Sequence, residues 1–466
     1  MADQFDLVIV GGGPGGYAAA FYGASAGLSV ALVEKDTIGG TCLNRGCIPA
    51  KAFLETAAAR RHAEHANEFG VATVVGDTNF AVAQARKQKI VDGLVKGLTG
   101  LVKAKKVTYL AGVGALNADN SVTVTAADGA VSTVSGRNVI LAAGSVPRVI
   151  PGFEPGGPVM TSDEVLMLDR IPARIAVIGG GAIGCEFAST FADLGAEVTI
   201  LEGLPKILPG LDADLANVVV RAFQKKKIAI KTGVAVKSHA PTGSGSTVLS
   251  FGEGETLEVD AVIVSVGRRP FADQLNLGAT QVKVSERGFV EVDAWCRTSA
   301  PNVWAIGDLI NTPQLAHVAY AEAILVVKQV LGEATVPVDY DRVPWAIYCQ
   351  PEVAWAGPGE EAARAAGHDV VVSKHQFRSN SRAQILGELD GLVKIIAKKN
   401  PDGSAGQVLG VHMCGPWVTE QLSGGYLAVN WEANVEEIAH FIQPHPSLTE
   451  MFGETVLSMT GRSINS

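Results

Sequence analysis

Hydrophobic and polar positions along the 466-residue chain follow a grammar that is used twice. Phe5 to Val10 is a short apolar run that meets a glycine cluster. Tyr17 to Ala26 is alanine-rich and helical, and a second apolar run follows from Leu28 to Val33. Short apolar runs bounded by glycine read as strands buried on both faces, so the order is strand, turn, helix, strand. The same order returns at Arg174 to Ile178, Gly179 to Gly184, a helix to Leu194, and Ala196 to Leu201. Two βαβ units so far apart predict two separate nucleotide-binding domains within an α/β fold.

Between these units, Gly144 to Pro158 holds Pro147, Pro151, Pro155 and Pro158, and it can sustain neither a helix nor a central strand. A domain boundary is expected there. Residues 82 to 104 carry a long amphipathic helical pattern followed by Lys103, Lys105 and Lys106, the sign of charge that suits a helix C-terminus. Alternating apolar residues dominate from Lys231 to Val266, with Pro241 to Ser246 as a hairpin tip. A second proline-marked junction, Val336 to Pro344, precedes a C-terminal stretch of mixed strands and helices.

Composition narrows the function. Hydrophobic residues make up 47% and charged residues 18%, enough to bury large cores. The net charge of -9, with no basic stripe interleaved with aromatics, excludes the electrostatic footprint of a nucleic-acid binder. No apolar run is long enough to cross a membrane, and the N-terminus lacks a basic leader region, so a cytoplasmic protein is expected. Six cysteines are too sparse for a secreted disulfide framework, so any close pair needs a chemical reason.

The 53 glycines supply the first chemistry. Gly11, Gly13 and Gly16 form a G-x-G-x-x-G directly after a strand, with Glu34 about 20 residues on at the end of the next strand. The first glycine permits the tight turn, the second lets backbone N–H groups approach a pyrophosphate, and the third allows close packing of helix on strand. Gly179, Gly181, Gly184 and Glu202 repeat the constellation. An acid at Glu202 suits a free ribose 2′-hydroxyl, so NAD is preferred there over NADP.

The second chemistry is Cys42-Leu43-Asn44-Arg45-Gly46-Cys47-Ile48-Pro49-Ala50-Lys51. Two thiols at this spacing can close a redox-active ring, and Pro49 with the alanine-rich stretch beyond it puts Cys47 at or just before a helix N-terminus. The helix dipole and Lys51 would lower its pKa. Two inert buried cysteines, or half of a metal site, are the alternatives, but no second cysteine pair or neighbouring histidine completes a zinc set. His445 and Glu450 form a further pair, since a histidine oriented by a carboxylate suits proton transfer with a dithiol. By itself, a lone histidine before proline reads as an exposed turn residue. Cys185, Cys296, Cys349 and Cys414 read as buried small hydrophobes, and His62, His65, Arg60, Arg61 and Glu64 as a solvated helix face.

A C-x-N-x-G-C-x-P-x-K motif after such a glycine fingerprint resembles the pyridine nucleotide-disulfide oxidoreductases. The resemblance extends to Ala142-Ala143-Gly144-Ser145, Thr161-Ser162-Asp163-Glu164, Gly267-Arg268-Arg269-Pro270, Ala305-Ile306-Gly307-Asp308, Leu315-Ala316-His317-Val318-Ala319 and His445-Pro446-Ser447-Leu448-Thr449-Glu450. Within that family the chain is most similar to the dihydrolipoamide dehydrogenases. The resemblance implies two Rossmann-like dinucleotide-binding domains plus a C-terminal α+β dimerisation domain. These would span residues 1–148 (FAD, with the redox disulfide), 149–270 (NAD), 271–340 (a central part completing the FAD site) and 341–466 (interface).

It also implies FAD in the first site, with Asp308 on its ribityl chain and Gly144 and Gly267 along the cofactor, NAD in the second, and Lys51 paired with Glu186 beside the flavin. Asp308 on its own would be a plain strand-end residue, and His317 is assigned packing or support of the flavin site. The implied partners are a second copy, whose His445 reaches the Cys42–Cys47 disulfide, and a lipoyl-bearing protein of a 2-oxo acid dehydrogenase or glycine cleavage complex. Neither nucleic acid nor a membrane is an expected partner, and no metal is expected. Related reductases of low-molecular-weight disulfides, and a non-catalytic flavin-binding subunit, are the other readings. The chain departs from the family pattern at Ala50, Ala143, Gln443 and Trp417, none of which removes a catalytic group.

Overall fold

The structure, a computed structural model, describes residues 4–243 and 245–464. Strand β1 (Gln4–Val10) ends in four buried residues, because its neighbours cover it on both edges and helices cover both faces. It pairs in parallel with β2 (Val30–Glu34), Leu7 opposite Val30, and with the strand Val131–Leu141, Leu7 opposite Asn138. Strand β3 (Thr108–Ala111) extends the sheet beyond β2. At the other side Val303–Ala305 joins it, with Val303 opposite Val139, so a segment far downstream completes the first sheet. Leu7, Ile9, Leu32, Ile140 and Leu141 are fully buried in this layer, each worth about 1.5–3 kcal/mol of transfer free energy.

Helix α1 (Pro14–Ser25) opens on a proline and buries Gly15, Gly16, Ala19, Ala20 and Gly23. This small-residue face lets it lie close to its neighbours. Two helices follow β2: α2 (Gly40–Arg45), which the sequence reading did not anticipate, and α3 (Cys47–His65). Helix α4 (Phe80–Ala104) starts at Asn79, whose side chain accepts the Val82 N–H, and packs back on α3 through stacked Phe53 and Phe80 rings 5.1 Å apart. Arg61 of α3 is no free surface charge, contrary to expectation: it reaches across to Asp193 at 2.8 Å.

The second unit repeats the first. Its all-parallel sheet runs in the order Ala229–Thr232, Glu197–Glu202, Arg174–Ile178, Ala261–Val264, Val159–Met160. The T-S-D-E motif proves to be a capping box: Thr161 and Glu164 close the start of α5 (Ser162–Val165). Helix α6 (Ala182–Asp193) is buried over most of its length and packs against α3, and α7 (Ala213–Lys225) covers one face. Strands Val236–Pro241, Thr247–Phe251 and Glu255–Val259 form an antiparallel sheet, with the expected hairpin tip between the first two. Ser244 within that tip lies outside the described residues.

Helix α8 (Ala316–Val330) lies against α1. The C-terminal part is a five-stranded antiparallel sheet in the order Trp345–Ile347, Glu352–Ala356, Ala405–Gly415, Leu392–Lys399, Val370–Gln376. Helices Val418–Asn430 and Glu450–Ser458 pack on it. Among the described residues no helix is long and apolar enough to cross a membrane.

Candidate active site

The glycines of the two fingerprints divide by what surrounds them. A Cβ on Gly11, whose φ is +110°, would lie 2.2 Å from the Ala142 carbonyl, and one on Gly16 would lie 1.8 Å from the Gly11 carbonyl. Gly179 and Gly184 are held the same way, at 2.5 Å from the Ser265 carbonyl and 2.0 Å from the Gly179 carbonyl. Backbone packing therefore demands those four. Gly13, in contrast, would meet nothing closer than 3.9 Å, and Gly181 nothing within 4 Å. The middle glycines face open space at a helix N-terminus, where a pyrophosphate would lie.

Both acids sit in matching places. Glu34 accepts the N–H of Gly12 at 2.6 Å and of Asp36 at 2.8 Å. Glu202 accepts the N–H of Gly180 at 2.6 Å and of Leu204 at 2.7 Å. A carboxylate offers about four acceptor sites, so each retains capacity for ribose hydroxyls. One cavity of about 1370 Å³ runs past both cradles, and it is larger than the roughly 300–1,000 Å³ of a single small-ligand pocket. Two dinucleotides fit it.

Gly144 and Gly267 line this cavity with φ of +73° and +104°, at the ends of a two-stranded antiparallel tie between the sheets, Ser145–Pro147 with Arg268–Pro270. Asp308 follows the strand Val303–Ala305 and also lines the cavity. Ser145 Oγ donates to Asp308 Oδ2 at 2.5 Å, while Arg268 donates to the Ser145 hydroxyl and carbonyl at 2.7 and 2.8 Å. The tie thus fixes the Asp308 carboxylate. Each of these residues stood in a quoted motif, but nothing in the sequence joined them into a network.

Between the cradles lie the sulfurs. Cys42 is carried by α2, and Cys47 is the first residue of α3, so both thiols are presented at helix ends beside the cavity. They are free thiols here, the reduced form of the pair. The hydrogen bond that Cys47 receives from the Cys42 thiol pulls it down to about 7, against the opposing effect of burial and with help from the Lys51 ammonium. The same hydrogen bond, with burial, pushes the Cys42 thiol far up. Of the two, Cys47 is the sulfur that ionises more readily.

Lys51, one turn further along α3, places Nζ 2.9 and 2.8 Å from the two carboxylate oxygens of Glu186 on α6. The Tyr348 N–H also donates to Glu186, at 2.9 Å, and Lys51 Nζ lies 4.7 Å from the centre of the Tyr348 ring. Burial would discharge the ammonium, but Glu186 and Cys47 more than reverse that and hold it protonated. Tyr348 is a participant that the sequence did not signal.

His445 Nδ1 lies 2.8 Å from Glu450 Oε1, and the other carboxylate oxygen accepts the Ser447 N–H at 2.7 Å. The carboxylate orients the ring, leaving Nε2 outward on a side chain that is 70% exposed. Neither residue lines the cavity of their own chain. His317 Nε2 is 2.7 Å from the Pro344 carbonyl, a packing contact. Cys185, Cys296, Cys349 and Cys414 are all buried.

Comparison with known proteins gives the same picture. Residues 5–323 match the pyridine nucleotide-disulphide oxidoreductase family, and residues 343–456 match its dimerisation domain. A dihydrolipoyl dehydrogenase of Bacillus subtilis is 38% identical over 100% of both chains, and one of Cupriavidus necator is 36% identical over 100% of both. Among solved structures, LpdA from Mycobacterium tuberculosis superposes with a TM-score of 0.92 at 26% identity, covering 98% of this chain and 99% of that one. RclA from Escherichia coli, a HOCl-induced flavoprotein disulfide reductase, superposes at 0.89 with 26% identity, covering 98% and 99%. With its two glycine cradles flanking a vicinal thiol pair, this chain belongs to the pyridine nucleotide-disulphide oxidoreductase family.

Proposed function

We propose that this protein oxidises dihydrolipoamide to lipoamide with NAD+, giving NADH and H+, as a homodimer whose two active sites each draw on both chains. The observation that carries the reading is Cys42 and Cys47, with Lys51 paired to Glu186, at the meeting of two dinucleotide cradles. Full-length similarity to several dihydrolipoyl dehydrogenases supports the substrate.

The cycle starts from the Cys42–Cys47 disulfide. His445 of the partner subunit, oriented by its carboxylate, takes a proton from one substrate thiol. The thiolate attacks Cys42 Sγ, the disulfide bond breaks, and Cys47 leaves as a thiolate. The Lys51 ammonium stabilises a thiolate on Cys47 whatever Cys42 is bonded to, which favours attack at Cys42 and departure of Cys47. Lys51 faces the new anion. The second substrate thiol then displaces Cys42, closing the lipoyl ring, and Cys42 recovers a proton. The products are lipoamide and the reduced Cys42/Cys47 pair.

The first cradle, with Glu34, Gly13 and Asp308, fits FAD, and the second, with Gly181 and Glu202, fits NAD. When bound, FAD supplies the two-electron relay that returns the dithiol to the disulfide and makes NADH. Glu202 favours NAD over its 2′-phosphorylated form by charge. The physiological partner is a lipoyl-bearing protein of a 2-oxo acid dehydrogenase or glycine cleavage complex, and the compartment is the cytoplasm.

Steady-state turnover of dihydrolipoamide by the parent and by Cys42→Ser tests the reading. Loss of turnover in the variant is expected. Full turnover in it, or a parent that reduces only glutathione-type disulfides, would refute the assignment.

A further inference from the structure

Among the described residues Trp304, Gln314, His375, His412 and Glu454 each bury a side-chain polar atom that has no hydrogen-bond partner. Of these only Gln314 lines the cavity, next to Pro313, Leu315 and Ala316. Its unpaired atom is the amide nitrogen Nε2. A buried donor without an acceptor carries the full desolvation penalty of the group, so one standing at the wall of a large cavity calls for a partner from outside the chain.

The backbone presents Gln314 at the tip of a turn. The Leu315 N–H donates to the Pro313 carbonyl at 2.8 Å, an i to i+2 bond that makes Gln314 the central residue of a γ-turn. The segment is pinned on both sides. Upstream, the fully buried Glu322 carboxylate accepts the Gly307 N–H at 2.6 Å, the Thr312 hydroxyl at 2.8 Å and the Tyr340 hydroxyl at 3.0 Å. Downstream, His317 is held to the Pro344 carbonyl, and α8 is held to α1, where the Tyr17 and Tyr320 hydroxyls are hydrogen-bonded to each other. The turn that carries the amide therefore has little freedom to move, and its unused hydrogen-bonding capacity stays at the cavity wall.

A carboxamide presents donors and an acceptor side by side, so its full complement is another amide-like edge and not a phosphate, which offers acceptors only. Both ring systems of the proposed cofactors carry such an edge: the pyrimidine part of the isoalloxazine has carbonyls flanking an N–H, and nicotinamide has a carboxamide. We propose that Gln314 is a cofactor-binding residue whose Nε2 donates to a carbonyl oxygen on the amide-like edge of a bound cofactor ring. The inference deepens the proposed function and takes from it only the identity of the two cofactors.

The test is made on the FAD-loaded, full-length protein with Gln314→Met, which keeps an unbranched side chain of similar length and removes the donor. Loss of one hydrogen bond changes an equilibrium by roughly two- to tenfold. Two measurements separate the two rings. In a Cys42→Ser, Cys47→Ser background, where the flavin is the only redox group, a donor on the flavin stabilises the negative charge of its reduced form. Its removal should lower the midpoint potential, by about 30 mV for a tenfold change at two electrons. A donor on the nicotinamide instead leaves that potential in place, and its removal should raise the dissociation constant of NAD+ by the same factor, read by quenching of protein fluorescence, while ADP-ribose, which lacks the ring, binds as before.

A midpoint potential and an NAD+ to ADP-ribose affinity ratio that both match the parent would overturn the proposal. Equal weakening of NAD+ and ADP-ribose with an unchanged potential would overturn it too, because a residue that only shapes the fold does not single out a ring. If Gln314→Met does not fold, Gln314→Leu is read in the same way. Neither measurement uses dihydrolipoamide, so failure of the Gln314 assignment leaves the substrate reading standing, and failure of the substrate reading leaves the Gln314 measurements intact.

Discussion

The Lys51–Glu186 pair makes a prediction with two signs. The Cys42 hydrogen bond, against burial, brings Cys47 down to about 7, and beyond these Lys51 lowers it while Glu186 raises it. In Lys51→Met the cation goes and the opposing carboxylate remains. A nearby opposite charge is worth about one to three pH units, so at the low end Cys47 moves from about 7 to about 8. At pH 7 its thiolate share then falls from about half to about a tenth. The rate of alkylation changes less than that, because a more basic thiolate is roughly threefold more nucleophilic per unit of pKa at a Brønsted slope near 0.4–0.5. The quantity to read is therefore the midpoint of the pH profile, measured in a Cys42→Ser background that keeps a hydroxyl donor beside Cys47. Glu186→Gln should move the same midpoint down. Midpoints that coincide in Lys51→Met and the parent, or that rise together in both variants, would refute the electrostatic account of the pair.

Lys394, only 3% exposed, places Nζ 3.0 Å from Asp212, 2.7 Å from Asp214 and 2.9 Å from Glu360, tying the start of α7 to the C-terminal sheet. Lys394→Met strands these carboxylates and should cost about 3–5 kcal/mol in urea unfolding, with a loss under about 1 kcal/mol counting against the lock. The Lys394 hydrogen bond holds Glu360 low, and burial of Asp214 is outweighed by Lys394 and Lys374. A depressed carboxylate stabilises above its unfolded pKa and loses that contribution as pH falls through its folded value, so below about pH 4 the parent should lose stability more steeply than the variant. Gly16→Ala should abolish flavin retention by forcing a backbone clash, whereas Gly181→Ala should keep the parent's melting temperature and raise the Michaelis constant for NAD+, which steady-state kinetics reads. Cys42→Ser and His445→Gln chains, each inactive alone, should regain about a quarter of the parent activity when co-refolded one to one, because half the dimers carry one intact shared site. No recovery would place the histidine and the cysteines in one chain.

What the sequence disclosed was local. The two glycine fingerprints, the cysteine pair at the head of a helix and the H-P-x-x-x-E motif each put their chemistry within a few residues, where spacing alone carries the reading. Element ends slipped where pairing decides them: the run read from Leu28 begins as β2 at Val30, the residue that meets Leu7. Contacts between remote segments were out of reach. Tyr17 and Tyr320 are separated by 303 positions and Lys51 and Glu186 by 135, and of these only the second pair was anticipated, through family resemblance. Arg268, Ser145 and Asp308 meet because two strands cross between the sheets, and Lys394 finds its three acids through the docking of α7. Such partners follow from how layers pack, which no window along the chain contains. The companion helix of Cys42 was missed for a related reason, since six residues are too few to show a helical period.

The central claim is that electrons pass from a dithiol substrate through Cys42 and Cys47 to NAD+. Its most direct test is an anaerobic absorbance titration of the purified protein, first with dihydrolipoamide and then with NAD+. The account predicts a yellow protein whose visible spectrum changes with one equivalent of dihydrolipoamide and which then yields one equivalent of NADH on adding NAD+. A flavin spectrum that dihydrolipoamide leaves untouched, while NADH and another disulfide alter it, would contradict the account.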